Sequence, residues 1–469
     1  MNHKKLKIFV AVIILFAIGS FSVLSNDTHL QEDDGWTYLF NGKDLKGWKQ
    51  LNGDAVYKVE NGEIMGITTA GTPNSFLCTE ADYDDFILEF EVLVHPDLNS
   101  GVQFRSNSLK DYNSGRVHGY QFELDPSSRA FSGGIYDEAR RGWLYPLSRN
   151  VKGQAAFMNG RWNHCRIEAI GSSISTWING VQCARLTDDL TTSGFIGLQV
   201  HSINNAQDAG KTIKWRDIRI KTENLEAGRW KSDPEVVELS YLINQLSSWE
   251  ERHGWRLLWD GKTGNGWRGA KLDDFPESGW GIKDGILTIM GTSGEEATGP
   301  GDIITEDVFS EFDLELEFMI TEGANSGIKY FVNAELNKDA GSSIGCEFQL
   351  LDDANHPDAK MGINTNRTLG SLYDLIPAEN ISVPGRSKQF KGVNRWNKAR
   401  IVVHGNLVEH WLNNEKVVEY DRGAQMFHAL VANSKYSKWP GFGKWPDGHI
   451  LLQDHGNMVH FRSIKIKEF

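Results

Sequence analysis

Gln121, Glu123 and Asp125 stand at alternate positions of GYQFELD (Gly119 to Asp125), with Tyr120, Phe122 and Leu124 between them. Successive side chains of an extended strand point to opposite faces, so this stretch presents one polar, acidic face and one apolar face. Amides and carboxyls in such a row suit two tasks: hydrogen-bonding a polar ligand, and moving a proton as general acid or base. Other groups recur with similar spacing. His201 follows Gln199 two residues on in IGLQVH, and His455 follows Gln453 in ILLQDH, so each pair shares a strand face. Glu347 and Gln349 alternate in GCEFQLLDD, while Arg105 in NSGVQFR and Lys329 in NSGIKYF supply one cation each. Tyr136 before Asp137 and Tyr373 before Asp374 mark a further shared position, and Trp143 in ARRGWLYP is a candidate stacking platform on a rim loop. Each feature also has a plain structural reading. The acidic row could be a solvated outer face, the histidines could bond backbone carbonyls, and the tyrosines could simply pack.

These residues fall at matching places in an internal duplication. LFNGKDLKGWK (39 to 49) is echoed by LWDGKTGNGWR (258 to 268), and DFILEFEVLV (85 to 94) by EFDLELEFMI (311 to 320). In the same order GRWNHCRIEAIG (160 to 171) pairs with NRWNKARIVVHG (394 to 405), and WRDIRIK (215 to 221) with FRSIKIK (461 to 467). Two homologous domains follow, at 35–222 and 255–469, with 223–254 as a linker. In that linker Asp233 is a helix cap candidate, Pro234 takes the first helical position, and Val236, Leu239, Ile243 and Leu246 have helical spacing, so a short amphipathic helix is expected. Inside each repeat the period is two. Phe86, Leu88, Phe90, Val92 and Val94 alternate inward with Glu89 and Glu91 outward, and the Asn179-Gly180 dipeptide between apolar runs signals a two-residue hairpin. The expected fold class is all-β, two jelly-roll β-sandwich domains joined by a short helical linker. Most of the 16 tryptophans recur at scaffold positions, Trp48 with Trp267, Trp162 with Trp396 and Trp177 with Trp411, and read as core.

Bulk composition narrows the partners. At 469 residues, with 62 Asp and Glu against 49 Lys and Arg, the chain has a formal net charge of -13, so it lacks the basic footprint that nucleic acid requires. MNHKKLK followed by IFVAVIILFAIGSFSVL reads as a signal peptide over 1–26, with an uncleaved anchor as the alternative, so the protein is expected to be exported to the periplasm or beyond. Four scattered cysteines make no disulfide scaffold. One bridge, Cys165 to Cys183, is conceivable, against four small buried thiols.

With these landmarks assembled, both halves resemble the 3-keto-disaccharide hydrolase domain family. The first does so through LFNGKDLKGW, NSGVQFR, GYQFELD, GGIYDEARRGWLYPL and GLQVHS; the second through NSGIKYF, EFQLLDD with NHPDAK, LGSLYDLIPAEN, EHWLNN, SKY and LLQDHGNMVHF. The resemblance implies a concanavalin A-like sandwich with a sugar-binding groove on one sheet, and a substrate oxidised at C3. A C3 ketone acidifies the C2 proton and places the C1 aglycone β to the carbanion, so elimination followed by hydration gives net hydrolysis. That route needs a base, a cation on the enolate oxygen and an acid for the departing oxygen. Glu123 or His201 and Glu347 or His455 are the base candidates, and Arg105 or Lys329 the enolate stabilisers. Gln121, Asp125, Tyr136, Trp143, Gln199, Gln349, Tyr373 and Gln453 are expected to bind substrate. A divalent metal is a candidate assistant, with the acid-rich Asp352 to Asp358 stretch as its nearest ligand source. Two alternatives stay open: a glucanase-like pair made of Glu123 and Asp125, and a noncatalytic carbohydrate-binding module.

Overall fold

The strand Phe86–Val94 buries its alternate apolar side chains, and it does so at the centre of a sheet. In the computed structural model, which describes residues 35–292, 301–338 and 341–469, it lies between Asn163–Ile170 and Thr212–Lys221 in a nine-stranded sheet. Opposite it stands a seven-stranded sheet, where Ser100–Asn107 runs between Phe195–Val200 and His118–Leu124. The rings of Phe90 and Phe122, one from each sheet, meet edge to face at 5.6 Å. The second repeat builds the same sandwich from an eight-stranded sheet centred on Phe312–Ile320 and a five-stranded sheet in which Asn325–Asn333 lies between His449–Leu452 and Ile344–Leu351. Each repeat encloses its own large core. In both smaller sheets one face is core, which leaves the polar face for a groove.

The Asn179-Gly180 turn has φ of 50° and 82°, both left-handed as a two-residue hairpin of this twist requires, and Asn413-Asn414 repeats it at 49° and 69°. Each leading asparagine also locks its hairpin from outside, accepting the N–H of His164 and of Lys398 respectively.

One expectation needs correction. The helix expected from Asp233 does not form. Asp233 caps a single turn through the N–H of Glu235, and the chain then extends so that Leu239–Ser240 pairs in parallel with Val181–Thr187 at the sheet edge. Val236 and Leu239 reach the first core from this extended run, and Ile243 is exposed; helix in the linker is confined to Leu225–Gly228 and Ser248–Arg252. Sheet pairing supplied the backbone partners that the helical spacing advertised. Of the two readings of the cysteines, the four small buried thiols hold: Cys165 and Cys183 are free and buried, as are Cys78 and Cys346. The expected signal peptide lies outside the described residues, among which no helix is long and apolar enough to cross a membrane.

The two sandwiches touch along the linker. The Tyr241 hydroxyl donates to Leu144 O at 2.5 Å and accepts from Asn414 Nδ2 at 2.8 Å. Lys398 Nζ donates to Ser240 O and to Glu315, each at 2.8 Å, and the Arg149 guanidinium lies 4.5 Å from the Trp411 ring. The outer face of the second repeat's larger sheet therefore packs on the edge of the first repeat's smaller one.

Candidate functional site

Each smaller sheet carries a groove on its polar face. The first groove, about 670 Å³, is lined by Gln121, Glu123, Asp125, Tyr136, Trp143 and His201 among others. The second, about 390 Å³, is lined by Lys329, Glu347, Gln349, Tyr373, Gln453 and His455. Sequence alternation had separated these residues from the core, and the sheets gather them as two sets.

In the first groove Glu123 sits in a row of amides. Gln103 Nε2 donates to Gln121 Oε1 at 2.5 Å, Gln121 Nε2 to one Glu123 oxygen at 2.8 Å, and Asn99 Nδ2 to the other at 2.7 Å. Burial lifts this carboxyl to about 7, against the pull of the two amides and of Arg129. Asp125 is engaged differently, accepting from Arg129 Nε at 2.7 Å. His201 Nδ1 lies 2.7 Å from Ser202 O. A carbonyl only accepts, so Nδ1 is the nitrogen that donates there, and in the neutral ring the lone pair sits on Nε2. Trp143 packs edge to face on Phe131 and Tyr136, with the Arg129 guanidinium 5.2 Å from its ring.

The second groove moves the charge. Register places Gln103 opposite Gln121 and Lys329 opposite Glu347, while Gly101 faces Glu123 and Gly327 faces Gln349. Glu347 therefore occupies the place of Gln121, and Gln349 that of Glu123: acid and amide have changed rungs between the repeats. Lys329 Nζ stands 3.9 Å from Glu347 and donates to Ser342 Oγ and to Ser343 O. On the other rung Gln349 Nε2 donates to Asn325 Oδ1 at 2.9 Å. Burial pushes the Glu347 carboxyl up, opposed by Lys329 and Lys435, and pushes the Lys435 ammonium down. Lys435 Nζ lies 4.1 Å from the centre of the Tyr373 ring, whose hydroxyl donates to Asp358 at 2.7 Å.

Two expected residues fall elsewhere. Arg105 is fully buried away from the groove, donating to Asp84 O, Gly171 O and Asp85. The cause is a bulge: register slips between Phe104 and Asn107, Arg105 takes φ of 45°, and its side chain passes to the far side. Phe331 repeats the bulge with φ of 51° and points into the second core. Gln199 is buried outside the groove lining, with both amide atoms lacking a partner. The acid-rich stretch after Leu351 is structural. Asp352 accepts the N–H of Gly323 and the Asn355 amide, Asp353 pairs with Lys388, and Asp358 with Arg367. Among the described residues no three His, Cys, Asp or Glu side chains converge as metal ligands.

Sequence reasoning passed over Asn99 and Asn325 although NSG recurs in both repeats, and passed over Lys435 and Tyr436 inside the SKY landmark. It had no signal for the most distant contributors. Arg386, Gln389, Lys391 and Glu415, all from the second repeat, line the first groove.

A family model described as the 3-keto-alpha-glucoside-1,2-lyase-like domain matches residues 35–221 and again 254–467. A protein named 3-keto-disaccharide hydrolase, from Bacteroides thetaiotaomicron, is 41% identical over 234 residues, which span 46% of this chain and 78% of the relative. A Parabacteroides distasonis crystal structure named as a glycosyl hydrolase is 28% identical, covers 49% of this chain and 100% of its own, and superposes with a TM-score of 0.43. The carbohydrate-binding module CBM66 of Bacillus subtilis is 15% identical, covers 37% of this chain and 95% of its own, and gives a TM-score of 0.26.

Proposed function

Because this chain belongs, in both halves, to the 3-keto-alpha-glucoside-1,2-lyase-like domain family, a glycoside hydrolase-like family of enzymes, we propose that it cleaves 3-keto-glycosides by elimination and rehydration in the second groove. The carrying observation is the rung in which Lys329 faces Glu347, walled by Lys435, Tyr373 and His455. A ketone oxygen laid against Lys329 and Lys435 would develop its enolate charge beside two cations in a desolvated site, where such stabilisation is strongest. The step begins when Glu347 or His455 takes the C2 proton. The C2 electron pair then forms the C1–C2 double bond as the C1–O bond breaks, and the departing oxygen receives a proton. Water next adds at C1 while C2 regains a proton, which leaves the free 3-keto sugar and the aglycone. Export is part of the same proposal and rests on the basic and apolar run before residue 26.

The pair of Glu123 and Asp125 supports direct hydrolysis less well. Arg129 holds Asp125, and Glu123 is bound by amides on both oxygens.

The test uses a 3-keto-glucoside, its C2-deuterated form and the unoxidised glucoside. Release from the keto substrate alone, slowed several-fold by deuterium, is expected. Lys329→Met and His455→Ala should each lower kcat by about 10²- to 10⁴-fold. Equal release from the unoxidised glucoside, or no isotope effect together with full activity in both variants, would overturn the assignment.

A further inference from the structure

Between the repeats lies a cavity of about 400 Å³ that the chemistry above leaves unused. It adjoins the first groove, sharing Arg141, Gly142 and Lys391 in its wall. Its lining carries five cationic side chains, Arg140, Arg141, Lys391, Arg395 and Arg462, against the single carboxylate of Glu317.

Part of this set is scaffold. Arg462 is bound to Glu317 at 2.7 Å and lies 4.1 Å from the Trp396 ring. The first repeat has the same trio, with Arg216 bound to Glu91 at 2.6 Å and 4.1 Å from Trp162. The seam adds what the first copy lacks. Arg140 and Arg141 arrive from the first repeat, held from behind by Asp137 at 2.7 and 2.6 Å. Lys391 and Arg395 come from the second. Among the described residues no carboxylate lies within ion-pairing reach of Lys391, and Arg395 has as its hydrogen-bond partner the Arg140 carbonyl at 3.4 Å. Burial draws the Lys391 ammonium down to about 8, with Glu317 opposing. Asp137, Asp188 and Glu317 answer Arg140, Arg141 and Arg462, which leaves half-buried Lys391 and exposed Arg395 as the two cations of the seam that an anion would join. Tyr241 and Trp396 supply ring surface beside the charges.

We propose that this seam is an anion subsite of the first groove, taking the carboxylate of an aromatic aglycone, with Lys391 and Arg395 as its specificity determinants. Placing a sugar next to it extends the glycoside reading from the second groove to the first; the anion site does not rest on that reading.

The experiment is calorimetric titration of the full chain with 4-hydroxybenzoate and with phenol at low salt, alongside turnover of a neutral 3-keto-glucoside. 4-Hydroxybenzoate should bind at least about tenfold more tightly than phenol, and Lys391→Gln should remove most of that difference, a free-energy change of about 1.4 kcal/mol. Arg395 is exposed, so Arg395→Gln leaves the fold untouched and should weaken 4-hydroxybenzoate several-fold with no change for phenol. Equal binding of the two probes, or full 4-hydroxybenzoate affinity in both variants, overturns the subsite. Preference for 4-hydroxybenzoate without turnover of the keto-glucoside would sink the glycoside reading and keep the subsite; turnover without that preference would do the reverse.

Discussion

Glu123 accepts two amide N–H bonds, yet burial holds its proton to about 7, well above the ordinary 4.5. A raised carboxyl favours the folded state in its neutral form. Its contribution is complete below pH 4.5 and fades as pH climbs through 7, by an amount on the order of 3 kcal/mol. Thermal melts between pH 5 and pH 8 should therefore show the native protein losing Tm relative to Glu123→Gln; parallel curves would mean the carboxyl is solvated. The same residue shows how far sequence reaches at this scale. Alternation in GYQFELD put Glu123 on the polar face, and the groove lies there. Alternation also put Arg105 beside it, and one left-handed residue in a bulge removed that side chain to the opposite side. Nothing in FRSN announces such a bulge, because arginine is not a residue that prefers that backbone region.

At the scale of strands, the grooves depend on glycines placed opposite polar rungs. A Cβ on Gly101 would overlap the Gln121 side chain, and one on Gly327 would overlap the Glu347 carboxylate, so the missing side chains let those groups lie across the sheet. Gly327→Ala should shift Glu347 and cost about tenfold or more in kcat, with only a small change in Tm because a side-chain end can move aside. Gly101→Ala should leave turnover in the second groove intact. Rates that fall equally in both variants would place the chemistry elsewhere. Strand identity and hairpins were legible because period-two patterning and Asn-Gly turns are local signals. The linker was not. Val236 and Leu239, three apart, carry helical spacing and would face opposite sides of a strand, so the local pattern pointed to a helix; the edge strand that overrides it, Val181–Thr187, lies some 50 residues earlier in the chain.

Across the whole molecule, the duplication could be read directly, whereas the contact between copies could not, since it joins surfaces that no repeat comparison pairs. Its centre is the Tyr241 hydroxyl between Leu144 and Asn414. Tyr241→Phe leaves Asn414 one partner short in a buried setting and should cost about 1–3 kcal/mol. Calorimetry should show the melting of the two halves drawing apart; an unchanged single transition would mean that the halves unfold independently of this contact. The contact is also one-sided. The upstream copy receives Arg386, Gln389, Lys391 and Glu415 from the downstream copy, and among the described residues the lining of the second groove comes wholly from its own repeat. Gene order has thus become part of the recognition surface: a chain spliced with its halves transposed would keep both hydrophobic interiors and every side chain, and still lose the wall that one domain lends the other.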